Sequence, residues 1–162
     1  MVNKVSSIFP KAKHTHESCV ARLNSHVAKI VDKSGKKFGA NQLFVLDALI
    51  QDHKAISAYE IVERIAKTDR RLQPVQVYRA LDGLLKLGLV HRLQSKNAYV
   101  VCSSIDECRA PQLFYCSSCE RVAEISGGAL PQHIARLAQE NNFQLEHGLV
   151  ELIGHCPECS GA

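Results

Sequence analysis

No stretch of this chain approaches the roughly 18–20 consecutive apolar residues that a membrane span requires, and its N-terminal segment has no continuous apolar run. The expectation is a soluble, unexported protein of the cytoplasm with no membrane among its partners. No low-complexity tract or internal repeat is evident. Cysteine is present but odd in number, seven in all. Four of these fall in two short pairs, a usage that suits a reducing compartment better than a disulfide framework. What remains is a chain of 162 residues with 46% hydrophobic composition, enough to bury a real core in one or two compact domains.

Charge is divided unevenly along the chain. Residues 1–102 carry 17 Lys and Arg against 8 Asp and Glu, whereas the remainder carries 3 against 8. A basic front attached to an acidic, cysteine-bearing back suggests polyanion binding under metal control.

The pairs Cys116-Ser-Ser-Cys119 and Cys156-Pro-Glu-Cys159 carry the sharpest chemistry. Two intervening residues let both sulfurs of a pair turn onto one ion, and four thiolates close a tetrahedral zinc site. The 36 residues between the pairs exceed a minimal zinc ribbon, so the metal is expected to clasp the ends of a small folded unit as a staple. A zinc hydrolase would need an open coordination position and a general base, and no HExxH is present. A deaminase would need H-x-E with P-C-x-x-C, and no proline precedes either pair. A thiol–disulfide enzyme would need an exposed, acidified thiolate, and only Arg121 offers a positive neighbour.

Val20, Leu23, Val27, Ile30 and Val31 recur at helical spacing and predict a helix over about 16–33. Asn41 is placed to cap a second helix with Leu43, Leu46, Leu49 and Ile50 inward. Ser57 and Glu60 form a capping box for a third, with Ile61, Val62 and Ile65 inward. Pro74 suits the first turn of a fourth and Gly88 its end, with Val77, Leu81, Leu84 and Leu85 inward. Residues 90–93 and 99–102 read as a hairpin across Ser95-Lys96-Asn97, which makes this part a winged helix. Residues 113–115 and 121–125 read as strands, 130–140 as a helix and 143–153 as one long strand, together a small α/β domain. The fold class is α+β.

The inward stripe of the fourth helix leaves Gln76, Tyr78, Arg79, Asp82 and Lys86 outside. Arg can donate two hydrogen bonds to guanine, Gln can pair with adenine, and Tyr can contact a phosphate or a thymine methyl. Ser57-Ala58-Tyr59-Glu60, Val77-Tyr78-Arg79-Ala80-Leu81-Asp82, Gly88-Leu89-Val90-His91 and Cys102, with the two cysteine pairs in register, resemble the ferric uptake regulator superfamily and within it the zinc-sensing branch. The likeness runs from about Asn41 to Cys159. It departs where Gly39-Ala40-Asn41-Gln42 replaces a common Thr-Pro-Gln-Arg, and by one added residue before Val77-Tyr78-Arg79.

The resemblance implies a homodimeric winged-helix repressor: a DNA-binding domain over 1–102, a hinge over 103–111, and a dimerisation and metal-binding domain over 112–162. Double-stranded operator DNA is the implied partner, contacted by Tyr59, Gln76, Tyr78 and Arg79, and no enzyme activity or small organic substrate is expected. Besides the four-cysteine staple, the resemblance places a regulatory metal on His91, Cys102 and Glu124. Residues 103–115 hold no histidine for the fourth position; Cys108 is the best donor there, ahead of Asp106 and Glu107. Thiolate donors favour zinc over manganese or ferrous ion, so about two zinc ions per chain are expected. The rival within the family is a sensor of ferrous, manganese or nickel ion, or of peroxide. His147 reads as an ordinary histidine, though relatives often place a metal ligand there, and His14, His16 and Cys19 form a weak N-terminal cluster.

Overall fold

The computed structural model describes residues 8–9, 17–34, 38–103 and 110–161. Its compact units divide after Cys102. Residues 104–109, which include Cys108 and most of the expected hinge, lie outside the described residues, as do His14 and His16.

In the first unit α1 (Glu17–Ser34) is followed by α2 (Ala40–Leu49), α3 (Ala58–Ala66) and α4 (Pro74–Lys86). Helix α2 starts earlier than expected. Gly39, not Asn41, occupies the N-cap, and Gln42 reaches back to accept its N–H at 3.0 Å. Its buried face is Val45, Leu46, Ala48 and Leu49, while Leu43 is exposed. Leu46 and Leu49 are inward as expected, but the run Leu43-Phe44-Val45-Leu46 has no polar counter-face, so periodicity alone does not separate Leu43 from Val45. Helix α4 packs so closely on α2 that a Cβ on Gly83 would sit 2.6 Å from Gln42 Nε2.

Helix α3 has the capping box its sequence predicts. Glu60 N–H donates to Ser57 Oγ at 3.3 Å, and Ser57 N–H donates to Glu60 Oε2 at 2.7 Å. Arg64 then donates to Asp52 Oδ2 at 2.9 Å and to the Ala48 carbonyl at 3.1 Å, tying α3 to the end of α2. Pro74 opens α4, where its missing N–H costs nothing. Gly88 ends it at φ 68°, a backbone state that favours glycine. Val77, Ala80, Leu81 and Leu84 are buried against the neighbouring helices.

The hairpin that follows pairs β1 (Val90–Leu93) with β2 (Ala98–Val101) in the register His91↔Val100. Asn97 turns it at φ 48°. Ile56 adds an isolated bridge to Tyr99, with hydrogen bonds of 3.0 and 2.8 Å. The wing is thereby anchored to the segment just before α3, a contact that one residue's sequence cannot announce.

The second unit orders its sheet β4-β3-β5, where β3 is Gln112–Cys116, β4 is Val122–Ile125 and β5 is Val150–Gly154. Strands β3 and β4 are antiparallel; β3 and β5 are parallel, with α5 (Ala129–Glu140) in the crossover. The expected long strand from Phe143 narrows to β5, because β3 is short and its pairing begins at Gln112↔Val150. Residues 143–149 therefore have no ladder partner among the described residues. Helix α5 buries none of its residues, and Leu130, Leu137, Phe143, Leu145, Leu152 and Ile153 are all exposed.

Candidate functional site

Parallel pairing of β3 with β5 brings the C-terminal ends of both strands to one edge of the sheet, and that places the two cysteine pairs together. Cys116 ends β3 opposite Gly154, two residues before Cys156. The first pair turns sharply into β4 through Glu120, at φ 62°. Its turn is closed by Glu120 N–H to the Cys116 carbonyl at 2.8 Å. The second pair opens α6 (Pro157–Ser160), with Cys159 N–H on the Cys156 carbonyl at 2.9 Å.

The four sulfurs all lie within 4.8 Å of one another, and Cys119 Sγ is 3.8 Å from Cys156 Sγ. A tetrahedron with zinc–sulfur bonds of about 2.3 Å has edges of about 3.8 Å, whereas a disulfide would need about 2.05 Å. The donor set and its spacing therefore fit zinc. Burial works to raise the Cys116 thiol, but N–H groups of Cys156, Cys119 and Ser118 outweigh it and bring the group down to about 5. Cys119 is likewise lowered against its burial, chiefly by the Arg121 guanidinium. Cys159 is pushed up to about 12, first by its hydrogen bond with Cys156. Sulfurs this close cannot all ionise without a cation among them.

The sequence points to Arg121 as the positive neighbour of this centre and to His155 beside Cys156, but not to the hydrogen bonds they make. Arg121, 9% exposed, donates from Nε to Cys119 Sγ at 3.3 Å and from Nη2 to Cys156 Sγ at 3.5 Å. It also forms an ion pair with Glu158. His155 Nδ1 lies 2.9 Å from Ser118 Oγ.

On the wing, Cys102 continues the ladder by donating its N–H to the Leu89 carbonyl at 2.9 Å. His91, opposite Val100, is thus the diagonal neighbour of Cys102 on one face. Both are buried, and their ligand atoms lie within 4.8 Å of each other. Glu124 belongs to the second unit, on β4. Its Oε2 accepts from Ser103 N–H at 2.6 Å and Ser103 Oγ at 3.1 Å, and its Oε1 from Ser126 Oγ at 3.2 Å. His147 is exposed and, among the described residues, joins no cluster of three ligand side chains. Cys19 Sγ lies 3.8 Å from His53 Nε2.

Helix α4 presents Tyr78 and Arg79 on its exposed face, and Tyr59 stands out from the first turn of α3 at 67% exposure. Gln76 Oε1 accepts from Gln73 N–H at 2.8 Å and caps the helix. The aromatic and guanidinium tips at the N-terminal halves of two helices sit on a unit whose sequence carries the chain's excess of positive charge. Such a surface suits phosphate and base-edge contacts.

A helical unit with a wing, joined to a sheet unit bearing a tetrathiolate centre, defines a metalloregulator. Residues 33–153 match the ferric uptake regulator family, and the chain belongs to it. It is 31% identical over 138 residues to the zinc uptake regulation protein of Escherichia coli K12, covering 85% of this chain and 81% of that one, and the Shigella flexneri protein of that name matches equally. Among solved structures, a zinc uptake regulator complexed with zinc and DNA superimposes with a TM-score of 0.79 at 30% identity, covering 92% of this chain and 97% of that one. The holo form of XcZur gives 0.74 at 27% identity, covering 86% and 99%.

Proposed function

We propose that the chain is a zinc-responsive transcriptional repressor that binds palindromic operator DNA as a homodimer when its regulatory site is filled, and that it controls genes of zinc uptake. The observation that carries this reading is the buried imidazole–thiol pair, His91 and Cys102, on the wing of a DNA-binding unit from this family. A thiolate donor favours zinc over ferrous or manganese ion. In this reading Glu124 and Cys108 complete the regulatory site, and Cys116, Cys119, Cys156 and Cys159 hold a second, structural zinc, for about two ions per chain.

A bound zinc ion supplies strong coordination to sulfur, nitrogen and oxygen donors and no redox chemistry. Ligands drawn from both units, across a hinge over 103–111, make the orientation of α4 depend on occupancy. Tyr59, Tyr78 and Arg79 then meet DNA in one arrangement, with Gln76 near them. Two recognition helices spaced about 34 Å apart would read the half-sites of a palindrome. A ligand shifts such an equilibrium only by its differential affinity, so a 100-fold gain on DNA requires about 2.7 kcal/mol of coupling.

The exposed apolar residues of α5 and β5 are the surface on which a second copy would pack. Among the described residues no helix is long and apolar enough to cross a membrane, and the proposed setting is the cytoplasm, where thiols stay reduced. The chain acts by binding rather than turnover, since four sulfurs fill a tetrahedral coordination and leave no place for a reacting water.

The test is zinc content per chain, measured together with binding to a palindromic duplex selected from random DNA, across buffered zinc, ferrous and manganese concentrations. Zinc-dependent binding at about two ions per chain is expected. Binding restored by iron or manganese but not by zinc would overturn the reading.

A further inference from the structure

Arg121 stands in a position that binding of zinc by four cysteines does not by itself require. Four thiolates around a divalent ion leave an excess of two negative charges, and a buried centre with that excess gains from a fixed cation that also donates hydrogen bonds. The guanidinium supplies both. Its Nε faces Cys119 of the first pair, while Nη2 faces Cys156 of the second and also Glu158, which lies between Cys156 and Cys159. One planar group therefore spans both arms of the centre. Glu158 is half exposed and holds the fork from its outer side. A lysine could deliver the charge and three N–H donors, but all from one nitrogen, not from the separated Nε and Nη2 of a rigid planar fork.

We propose that Arg121 is the positioning residue of the tetrathiolate centre: it bridges the two cysteine arms, offsets their excess negative charge, and slows both loss of the metal and attack on the sulfurs by electrophiles. The inference rests on the reading of these cysteines as a zinc site. A merely structural alternative is an ion pair with Glu158 that joins two turns and leaves the sulfurs unaffected.

The two accounts separate in the full-length, zinc-loaded protein. Zinc release to a chromogenic chelator and alkylation of individual cysteines by iodoacetamide would be followed for wild type, Arg121→Ala, Arg121→Lys and Glu158→Gln. Groups around metal ligands typically tune affinity by about 10–100-fold. Arg121→Ala is expected to release zinc about tenfold faster or more, with alkylation of Cys119 and Cys156 accelerated in step. Arg121→Lys should recover part of the loss, and Glu158→Gln should cost only about threefold, because the guanidinium remains at the sulfurs.

Release from Arg121→Ala within twofold of wild type would overturn the proposal. So would a Glu158→Gln protein as leaky as Arg121→Ala. If Arg121→Ala does not fold, Arg121→Lys decides alone: wild-type release and alkylation rates would refute a need for the fork. A wild-type chain that holds no zinc on these cysteines would remove the zinc reading itself, and this inference with it.

Discussion

The two units of this chain solve the problem of stability by different means. The first buries Val45, Leu49, Ile61, Val77, Leu81 and Leu84 among its own helices, each almost wholly withdrawn from water. The second leaves α5 without a buried residue and exposes Phe143, Leu145, Leu152 and Ile153. In their place it has a three-stranded sheet edge closed by four cysteines. A core of apolar side chains needs no ligand, whereas a thin sheet that buries only a few of its own, among them Leu113, Tyr115, Val122 and Ala123, is expected to depend on its metal and on a covering partner. The lesson is that stability and sensing could be drawn from metal separately within one chain: the four paired cysteines lie in one unit, whereas the proposed sensor draws His91 and Cys102 from the first unit and Glu124 from the second.

The sharpest way to break this contrast is Cys116→Ser. Structural zinc contributes about 10–16 kcal/mol of apparent binding energy in small domains, and that energy is folding energy. The substituted chain is expected to lose one zinc and unfold its second unit, seen as loss of that unit's transition in calorimetry, while the first unit still melts cooperatively. Chelation should reproduce this, and more readily as pH falls, because protons compete for the thiolates.

Leu84→Ala tests the other side. Truncating a fully buried leucine costs about 2–5 kcal/mol, so the first unit's transition should fall while zinc content stays unchanged. Arg79→Ala should weaken operator binding by about 1–3 kcal/mol with neither unit destabilised; titration of the labelled duplex reads it.

Smallest is Ser57→Ala, which removes the α3 cap at a cost of about 1 kcal/mol. Glu60's carboxyl is held below its usual range, first by the Ser57 hydroxyl and then by the Ser57 N–H. A depressed carboxylate contributes stability fully above its unfolded value, near 4.5, and loses it as pH falls through the folded value. The difference between wild type and Ser57→Ala in thermal melts should therefore shrink in acid.

Much of this was legible in the sequence because the signals were local. Ser57 and Glu60 announce their cap three residues apart, Pro74 and Gly88 bracket α4, and the spacing within each cysteine pair names the metal. Signals that depend on distant pairing were legible only in part. The two cysteine pairs announced that Cys116 and Cys156 would meet, but not that β3 and β5 would bring them together by running parallel across an intervening strand and helix. The same short β3 limits β5 to Val150–Gly154, where periodicity extended it back to Phe143. Helix α2 was found with Leu46 and Leu49 inward as expected, but Leu43 was placed inside wrongly because Leu43, Phe44, Val45 and Leu46 offer no polar side to orient it. The cap that Gln76 gives α4 is a local contact that the sequence reading did not include.

The central claim is that occupancy of a site on the wing, and not of the tetrathiolate staple, governs DNA binding. Operator affinity of wild type and of His91→Ala should be measured as a function of free zinc, with zinc per chain and thermal unfolding recorded on the same samples. The account predicts a substituted protein that keeps its fold and its staple zinc, loses the second ion, and binds operator about 100-fold more weakly at saturating zinc, equivalent to about 2.7 kcal/mol. Undiminished, zinc-dependent binding by His91→Ala would contradict it.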